Sequence, residues 1–261
     1  MQRLWPILLL LCITRVYAQT NTPLRTKEDT SGISSKILLV PFQPMMYFSD
    51  ADQDLSRFSK MGEPQIRNEL RNQLDLNIYH QLLPAFDVVD LLRANSLDGE
   101  KDLNRIYACT RYTLYSSKQK KAYMEEKGKE ETSRVKAFLE KYSRKSKDQT
   151  FWICDSAVML GMLTEREIFP YLFRKYNHQY ILFITQFEIG TSNKNTIEWL
   201  KQDYKREYTI HYNLFDKTGD LLRAETLTIK AGPENNVKQI ADLYLRVIGA
   251  RLKEIMIVAE K

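Results

Sequence analysis

The sequence predicts an α/β protein, a two-layer α+β sandwich in which two main helices cover a mixed sheet of about five strands. Three observations predict this class. An apolar run, an amphipathic segment of helical period and a second apolar run follow one another over residues 36–92. Alternating segments with a tight turn occupy residues 180–229, and a second helical stripe lies at 237–255. Between these halves we expect a helical insertion at about 95–177.

The first unit is a strand, a helix and a strand. The run KILLVPF at 36–42 is apolar, and Pro41, which lacks an N–H group, predicts the end of the strand. Apolar residues then recur every four positions, at Ile66, Leu70, Leu74, Ile78 and Leu82. This helix is expected to begin near Pro64 and to end before Pro84. The segment FDVVDLL at 86–92 predicts a second strand, and a crossover of this length sets the two strands parallel.

The second half predicts three more strands and a helix. Segments 180–187 and 207–215 are apolar or alternate between apolar and polar residues. The sequence DKTG at 216–219 suits a tight turn between two strands. Asn235 or Asn236 can cap the last helix. The apolar stripe of that helix consists of Val237, Ile240, Ala241, Tyr244, Leu245, Ile248, Leu252 and Ile255.

Residues 1–18 have the three parts of a secretory signal peptide. A charged start precedes an apolar run of about ten residues and small residues at Val16 and Ala18. We expect cleavage after Ala18, then a flexible polar tether over 19–34 and a single α/β domain over 35–261. The protein is therefore predicted to be exported and to be periplasmic or associated with the outer envelope. No later apolar stretch of the sequence is long enough to predict a transmembrane segment in the mature chain.

Export affects how the cysteines and the charge are interpreted. Cys109 and Cys154 remain after cleavage, and they can form a disulfide in an oxidising compartment or stay buried as thiols. Residues 100–148 carry 14 Lys and Arg against 8 Asp and Glu, so the positive charge is concentrated in one segment. Export argues against a nucleic-acid partner. The segment 116–147 is therefore either a solvated helix face or a contact for anionic lipid or cell-wall polymer.

The best candidate for a metal site follows the first strand, where ligands of open α/β sheets tend to lie. Asp50, Asp52 and Asp54 stand at alternate positions, and carboxylate oxygens suit Ca²⁺ or Mg²⁺. The calcium-loop pattern is not met, because Leu55 and Met61 occupy the positions of its Gly and Glu. Two interpretations stay open: a divalent-metal site, or a solvated acidic turn in which an aspartate caps a short helix.

No catalytic motif stands out in the sequence. His80, His178 and His211 are far apart along the chain, and the zinc-protease and serine-hydrolase patterns are absent from the sequence. We therefore predict no catalytic residues, and no cofactor other than the Ca²⁺ or Mg²⁺ of the metal interpretation.

The opening strand KILLVPF, the strand FDVVDLL and the hairpin YTIHYNLFDKTGDLL occur in an order that resembles a known group of domains. The group comprises the α/β domains of the TolB amino-terminal region, the curli-secretion lipoproteins and the lipoprotein activators of penicillin-binding proteins. The resemblance covers about 36–92 and 179–258, and the insertion departs from it. The stretch VPFQPMMYFSDADQDL is also similar to secreted, uncharacterised proteins of Bacteroides- and Flavobacterium-type bacteria. This resemblance implies an assembly or accessory role in the envelope without a catalytic motif.

These observations predict a non-enzymatic periplasmic or envelope protein that binds an envelope protein or a cell-wall component. Its contacts would come from the loop 43–61 and the insertion 95–177. Two alternatives remain open. One is a divalent-metal-dependent envelope hydrolase that uses Asp50, Asp52 and Asp54, and the other is an adaptor that binds anionic lipid or cell-wall polymer through the basic insertion.

Overall fold

The computed structural model describes most of the chain after residue 34. The described residues are 35–94, 97–115, 152–153, 157–192, 197–201 and 204–259. The predicted signal peptide (1–18), the predicted tether (19–34) and the basic segment 116–147 lie outside these ranges, so all three stay predictions. Within the described ranges, no helix combines the length and the apolar character that crossing a membrane requires.

The elements of the described residues are numbered here in chain order. The strands are β1 (Lys36–Val40), β2 (Tyr47–Ser49), β3 (Asp87–Asp90), β4 (Thr110–Tyr115), β5 (Trp152–Ile153), β6 (Val158–Leu163), β7 (Tyr180–Thr191), β8 (Arg206–Asp216) and β9 (Leu221–Ala231). The helices are α1 (Asp52–Ser59), α2 (Glu63–Leu82), α3 (Leu97–Ala108), α4 (Ile168–Tyr176), α5 (Ile197–Leu200), α6 (Val237–Ile240) and α7 (Arg246–Ala259). A π-helical turn, Ala241–Leu245, joins α6 to α7, and we call 237–259 the last helix.

The large sheet is mixed, and the predicted α/β class is confirmed. Its strand order is β3-β1-β7-β8-β9-β5, and β2 pairs with β7 beyond the end of β1. β1 is parallel to β3, as the strand–helix–strand unit predicts, and it is also parallel to β7. β7, β8 and β9 are antiparallel. The predicted turn between β8 and β9 is present, with Gly219 at a φ of 88°.

One face of the large sheet is covered by α2 and the last helix, as predicted. The stripe of α2 is buried against this face at Ile66, Leu70, Leu74, Ile78 and Leu82. The two helices approach closely at Gly249, where an added Cβ would lie 2.8 Å from the carbonyl oxygen of Asn77. The last helix is capped by Asn236, whose side chain accepts hydrogen bonds from the N–H groups of Lys238 and Gln239.

The opposite face is covered as well, which the two-layer prediction did not include. Helices α3 and α4 pack there together with a two-stranded antiparallel sheet of β4 and β6. Buried side chains such as Leu103, Leu160 and Leu172 form this second core. The described part of the insertion 95–177 therefore contains the expected helical structure and, in addition, three strands (β4, β5 and β6) that the sequence analysis did not predict.

Polar side chains of the large sheet hold β6 in place. The Nδ1 atom of His211 accepts a hydrogen bond from the N–H of Met159 at 3.0 Å. The Oδ1 atom of Asn213 accepts one from the N–H of Gly161 at 2.7 Å, and the Thr185 hydroxyl donates to the carbonyl oxygen of Met159 at 2.6 Å. Three outer backbone groups of β6, two on Met159 and one on Gly161, are therefore satisfied by buried side chains instead of a further strand.

The predicted loop 43–61 contains regular structure. It begins with a 3-10 turn, Pro44–Met46, and continues through β2 and α1. In α1 a single apolar residue, Leu55, is buried. One buried residue gives no helical period, which explains why the sequence pattern did not reveal this helix.

Candidate binding site

A cavity of about 600 Å³ lies at the carboxyl ends of β1 and β3. The chain leaves β1 across one face of the sheet through α2, and it leaves β3 across the other face through α3. A crevice opens between two such connections, and this is where open α/β sheets bind ligands. The cavity is lined by Gln43, Pro44, Arg71, Leu91, Leu92, Ala94, Glu100, Leu103, Asn104 and Tyr107.

Arg71 of α2 is the half-buried cation of this lining. Its Nε donates to the carbonyl oxygen of Phe42, and its Nη2 donates to the hydroxyl of Tyr107, both at 2.7 Å. The Tyr107 hydroxyl in turn donates to the carbonyl oxygen of Pro41 at 2.8 Å. Burial raises the pKa of Tyr107, so the hydroxyl stays protonated. The guanidinium is therefore held in one orientation between α3 and the residues that follow β1.

Two buried aspartates lie close to this arginine. Asp75 of α2 and Asp90 at the end of β3 are both buried. The Nε of Arg93 lies 3.0 Å from Oδ2 of Asp90 and 3.7 Å from Oδ2 of Asp75. Burial, and then the negative charge of Asp90, raise the pKa of Asp75 well above its ordinary value. This carboxyl therefore keeps its proton at pH values where an ordinary aspartate is ionised.

Asp90 also shapes the wall of the cavity. Its Oδ1 accepts a hydrogen bond from the N–H of Leu92 at 2.8 Å, and its carbonyl oxygen accepts one from the N–H of Ala94 at 2.9 Å. These bonds fold the residues after β3 into a turn that places Leu92 and Ala94 in the lining. The aspartate pair thus joins α2 to this turn.

The three aspartates of the predicted metal site have separate partners. Asp50 accepts hydrogen bonds from the N–H and the hydroxyl of Thr191 at 3.1 and 2.7 Å. Asp52 accepts a hydrogen bond from the hydroxyl of Tyr47, and Asp54 forms an ion pair with the buried Arg206 at 3.3 Å. Each carboxylate thus joins α1, or the two residues before it, to a different part of the fold.

This arrangement gives no support to a metal centre. Among the described residues, no group of three or more His, Cys, Asp and Glu side chains could hold a metal ion. The Ca²⁺ or Mg²⁺ site predicted at Asp50, Asp52 and Asp54 is therefore not supported by the geometry. The alternative, an acidic turn before a short helix, agrees with the position of these residues at the start of α1, but Ala51 occupies the N-cap and no aspartate side chain caps the helix.

Of the two cysteines in the predicted disulfide, Cys109 lies within the described residues. Cys109 is buried and forms no disulfide with another described residue, and burial raises the pKa of its thiol. Cys154 lies outside the described residues, so the disulfide stays a prediction.

The three histidines lie on different parts of the fold. His80 is exposed on α2, whereas His178 is buried after α4, and burial lowers the pKa of His178 to about 4. The Nε2 of His211 lies 3.3 Å from the carboxylate of Glu188, and this hydrogen bond lowers the pKa of Glu188. Because Nδ1 of His211 already accepts a backbone N–H from β6, this histidine anchors that strand.

Sequence reasoning missed the residues that line the cavity and also Asp75, which interacts electrostatically with Arg71. Arg71 and Asp75 directly follow two members of the buried stripe, Leu70 and Leu74, so they lie four residues apart at its border. This four-residue spacing places the two side chains next to each other on the helix surface, and it was the one sequence signal that could have indicated the site. Tyr107 lies 36 positions after Arg71, and no local pattern connects the two.

Comparison of the chain with protein-family models, with curated proteins and with solved structures gives no match. The resemblance to the TolB amino-terminal group therefore stays an expectation from the sequence. The candidate site is interpreted from its own geometry.

Proposed function

We propose that this protein is a non-enzymatic, exported binding protein that contacts an envelope protein or a cell-wall component through the cavity at the carboxyl ends of β1 and β3. One observation carries the proposal. The two segments that the sequence analysis assigned to partner contact, 43–61 and 95–177, both line this cavity, the first through Gln43 and the second through Asn104 and Tyr107. A partner that enters the cavity touches both segments.

The chemistry of the lining favours binding over catalysis. The Tyr107 hydroxyl donates to Pro41 and accepts from Arg71, and its raised pKa keeps it protonated. An arginine guanidinium does not exchange protons near neutral pH. The cavity thus offers fixed hydrogen-bond donors beside apolar surface, which is the combination that orients a ligand.

Site-specific photo-crosslinking in the cells that produce the protein tests this proposal. A photoreactive phenylalanine analogue replaces Asn104, an exposed residue of α3 that lines the cavity. In the control variant the same analogue replaces Asn68, an exposed residue of α2 that does not line the cavity. We expect a crosslinked product from position 104 and none from position 68. Equal products from both positions, or no product from either, contradict the proposal.

A second variant separates cavity binding from the surface-charge alternative. Asn104→Trp places a large side chain at the cavity while the basic segment 116–147 keeps its charge. We expect this variant to lose the partner that the wild-type protein co-purifies with. Binding that persists in Asn104→Trp and disappears in high salt would instead favour an adaptor for anionic lipid or polymer.

A further inference from the structure

We propose that the cavity recognises the carboxylate of an organic ligand, and that Arg71 binds this group through the outer edge of its guanidinium. The inference rests on the proposed function, because it names the chemistry that the cavity would recognise. Three observations carry it. They are the orientation of Arg71, the charge balance around it and the composition of the remaining lining.

The first observation is the orientation of the guanidinium. A guanidinium has five N–H donors, and it can bind a carboxylate along its Nε–Nη2 side or along its Nη1–Nη2 end. In Arg71 the side edge is occupied, because Nε donates to Phe42 and Nη2 donates to Tyr107. The end edge is left for a ligand. Since the two contacts already fix the side chain, binding costs little conformational entropy.

The second observation is the charge balance. The carboxylate of Asp90 is matched by Arg93 at 3.0 Å. Asp75 shares that site, and burial raises its pKa, which reduces its negative charge relative to that of an ordinary aspartate. Among the described residues, no carboxylate forms an ion pair with Arg71. Asp75 interacts with Arg71 electrostatically but forms no ion pair with it, so the half-buried guanidinium still favours an anionic ligand.

The third observation is the composition of the lining. Pro44, Leu91, Leu92 and Leu103 give apolar surface to a space of about 600 Å³, which suits a small organic group. Glu100, exposed on α3, also lines the space and repels a second negative charge. An organic monocarboxylate therefore fits better than phosphate does. Such a carboxylate belongs either to a small organic acid or to the last residue of a peptide.

The test uses probes that differ in one property at a time. N-acetylphenylalanine carries the carboxylate of a peptide end, N-acetylphenylalaninamide lacks the charge, 3-phenylpropionate represents a free acid, and inorganic phosphate lacks the apolar part. Titrations of the purified full chain by calorimetry or NMR should show at least one acid binding about tenfold more tightly than the amide. The preferred acid tells a peptide end from a free acid. Equal binding of acid and amide, phosphate binding as tight as that of the acids, or no binding of either acid overturns the inference.

Variants show whether Arg71 carries the effect. Arg71→Gln should weaken binding of the preferred acid at least about tenfold and leave the amide unchanged. Asn104→Trp blocks the cavity without altering Arg71, and it decides the test if Arg71→Gln fails to fold. Asn68→Trp is the matched control and should bind like the wild type. Acid binding that survives both Arg71→Gln and Asn104→Trp overturns the inference.

The outcomes separate the inference from the proposed function. If position 104 crosslinks a partner but no acid binds through Arg71, the inference fails and the proposed function stands. If the acids bind through Arg71 but position 104 gives no crosslinked product, the proposed function fails and the carboxylate site stands.

Discussion

Replacing each aspartate of the buried pair by asparagine should have unequal effects on stability. Asparagine has the size of a protonated aspartate and carries no charge. Asp75→Asn therefore imitates the form that the site already favours, since the pKa of Asp75 is raised. Asp90→Asn removes the carboxylate that Arg93 contacts at 3.0 Å.

The expected magnitudes follow from these contacts. Loss of the ion pair between the Asp90 carboxylate and the Arg93 guanidinium should lower the free energy of unfolding by about 1–3 kcal/mol, between the values for exposed and for buried pairs. The Arg93 side chain is 35% exposed, so water solvates part of the released charge and the lower end of that range applies. Asp75→Asn removes the desolvation of a charge and its repulsion from Asp90. We expect the free energy of unfolding at neutral pH to stay within about 1 kcal/mol of the wild-type value or to rise.

The pH dependence gives a second readout. Because the pKa of Asp75 is higher in the folded chain than its ordinary value of 3.8, the folded state holds more protons than the unfolded state above that value. Stability contributed by this group therefore falls as the pH rises through the folded pKa. Asp75→Asn should abolish this slope in urea unfolding measured from about pH 4 to about pH 8. The reasoning is refuted if Asp75→Asn costs as much stability as Asp90→Asn at neutral pH, or if it keeps the wild-type slope.

Three further substitutions test the packing and the titration of the fold by urea unfolding. Gly219→Ala should cost about 2–4 kcal/mol, because a φ of 88° disfavours a side chain and the new Cβ would lie 2.4 Å from the ring of Phe169; an equal cost in a Phe169→Leu background would disprove the clash. Asn236→Ala should cost about 1 kcal/mol through loss of the helix cap, and an unchanged midpoint would rule that out. Burial lowers the pKa of His178 from 6.5 to about 4, so the unfolded state binds protons first and stability falls as the pH drops through this window. His178→Gln should remove that acid-side loss, and a retained slope would count against the assignment.

The strand–helix–strand unit and the last helix could be predicted because local periodicity decides their burial. The four-residue spacing from Ile66 to Leu82 leaves one face that can pack on a sheet, and Pro84 lies directly beyond the helix. Gly219 supplies the positive φ that its turn requires, and Asn236 supplies the cap. Each of these requirements is met within a few residues of sequence.

The small sheet could not be predicted because distant residues determine it. The apolar run at 158–163 suits a buried strand or a buried helix equally well. The strand is fixed by His211 and Asn213, each 52 positions from the backbone group that it binds. No local pattern carries that information.

The cavity and the aspartate cluster also show that local sequence patterns do not reveal tertiary contacts. The cavity depends on the hydrogen bond between Arg71 of α2 and Tyr107 of α3, and no sequence motif predicts this contact. The aspartates at 50, 52 and 54 have a spacing that suggests a shared ligand, but each carboxylate contacts a different tertiary partner. Local spacing therefore predicted a metal site that the geometry does not support, whereas for the cavity it offered only the four-residue separation of Arg71 and Asp75.

The position of β6 on the large sheet affects the tendency of this protein to aggregate at high concentration. A strand with unpaired backbone groups along one side is a template for a strand of another molecule, and fibrils can grow from it. Along β6 that side is closed by imidazole, amide and hydroxyl groups, and an added Cβ at Gly161 would lie 2.9 Å from the ring of Phe183, so the backbone lies tight against the sheet. Among the described residues, the outer edge of β6 is therefore protected from pairing with a strand of another molecule, and β4 carries the exposed charged side chain of Arg111.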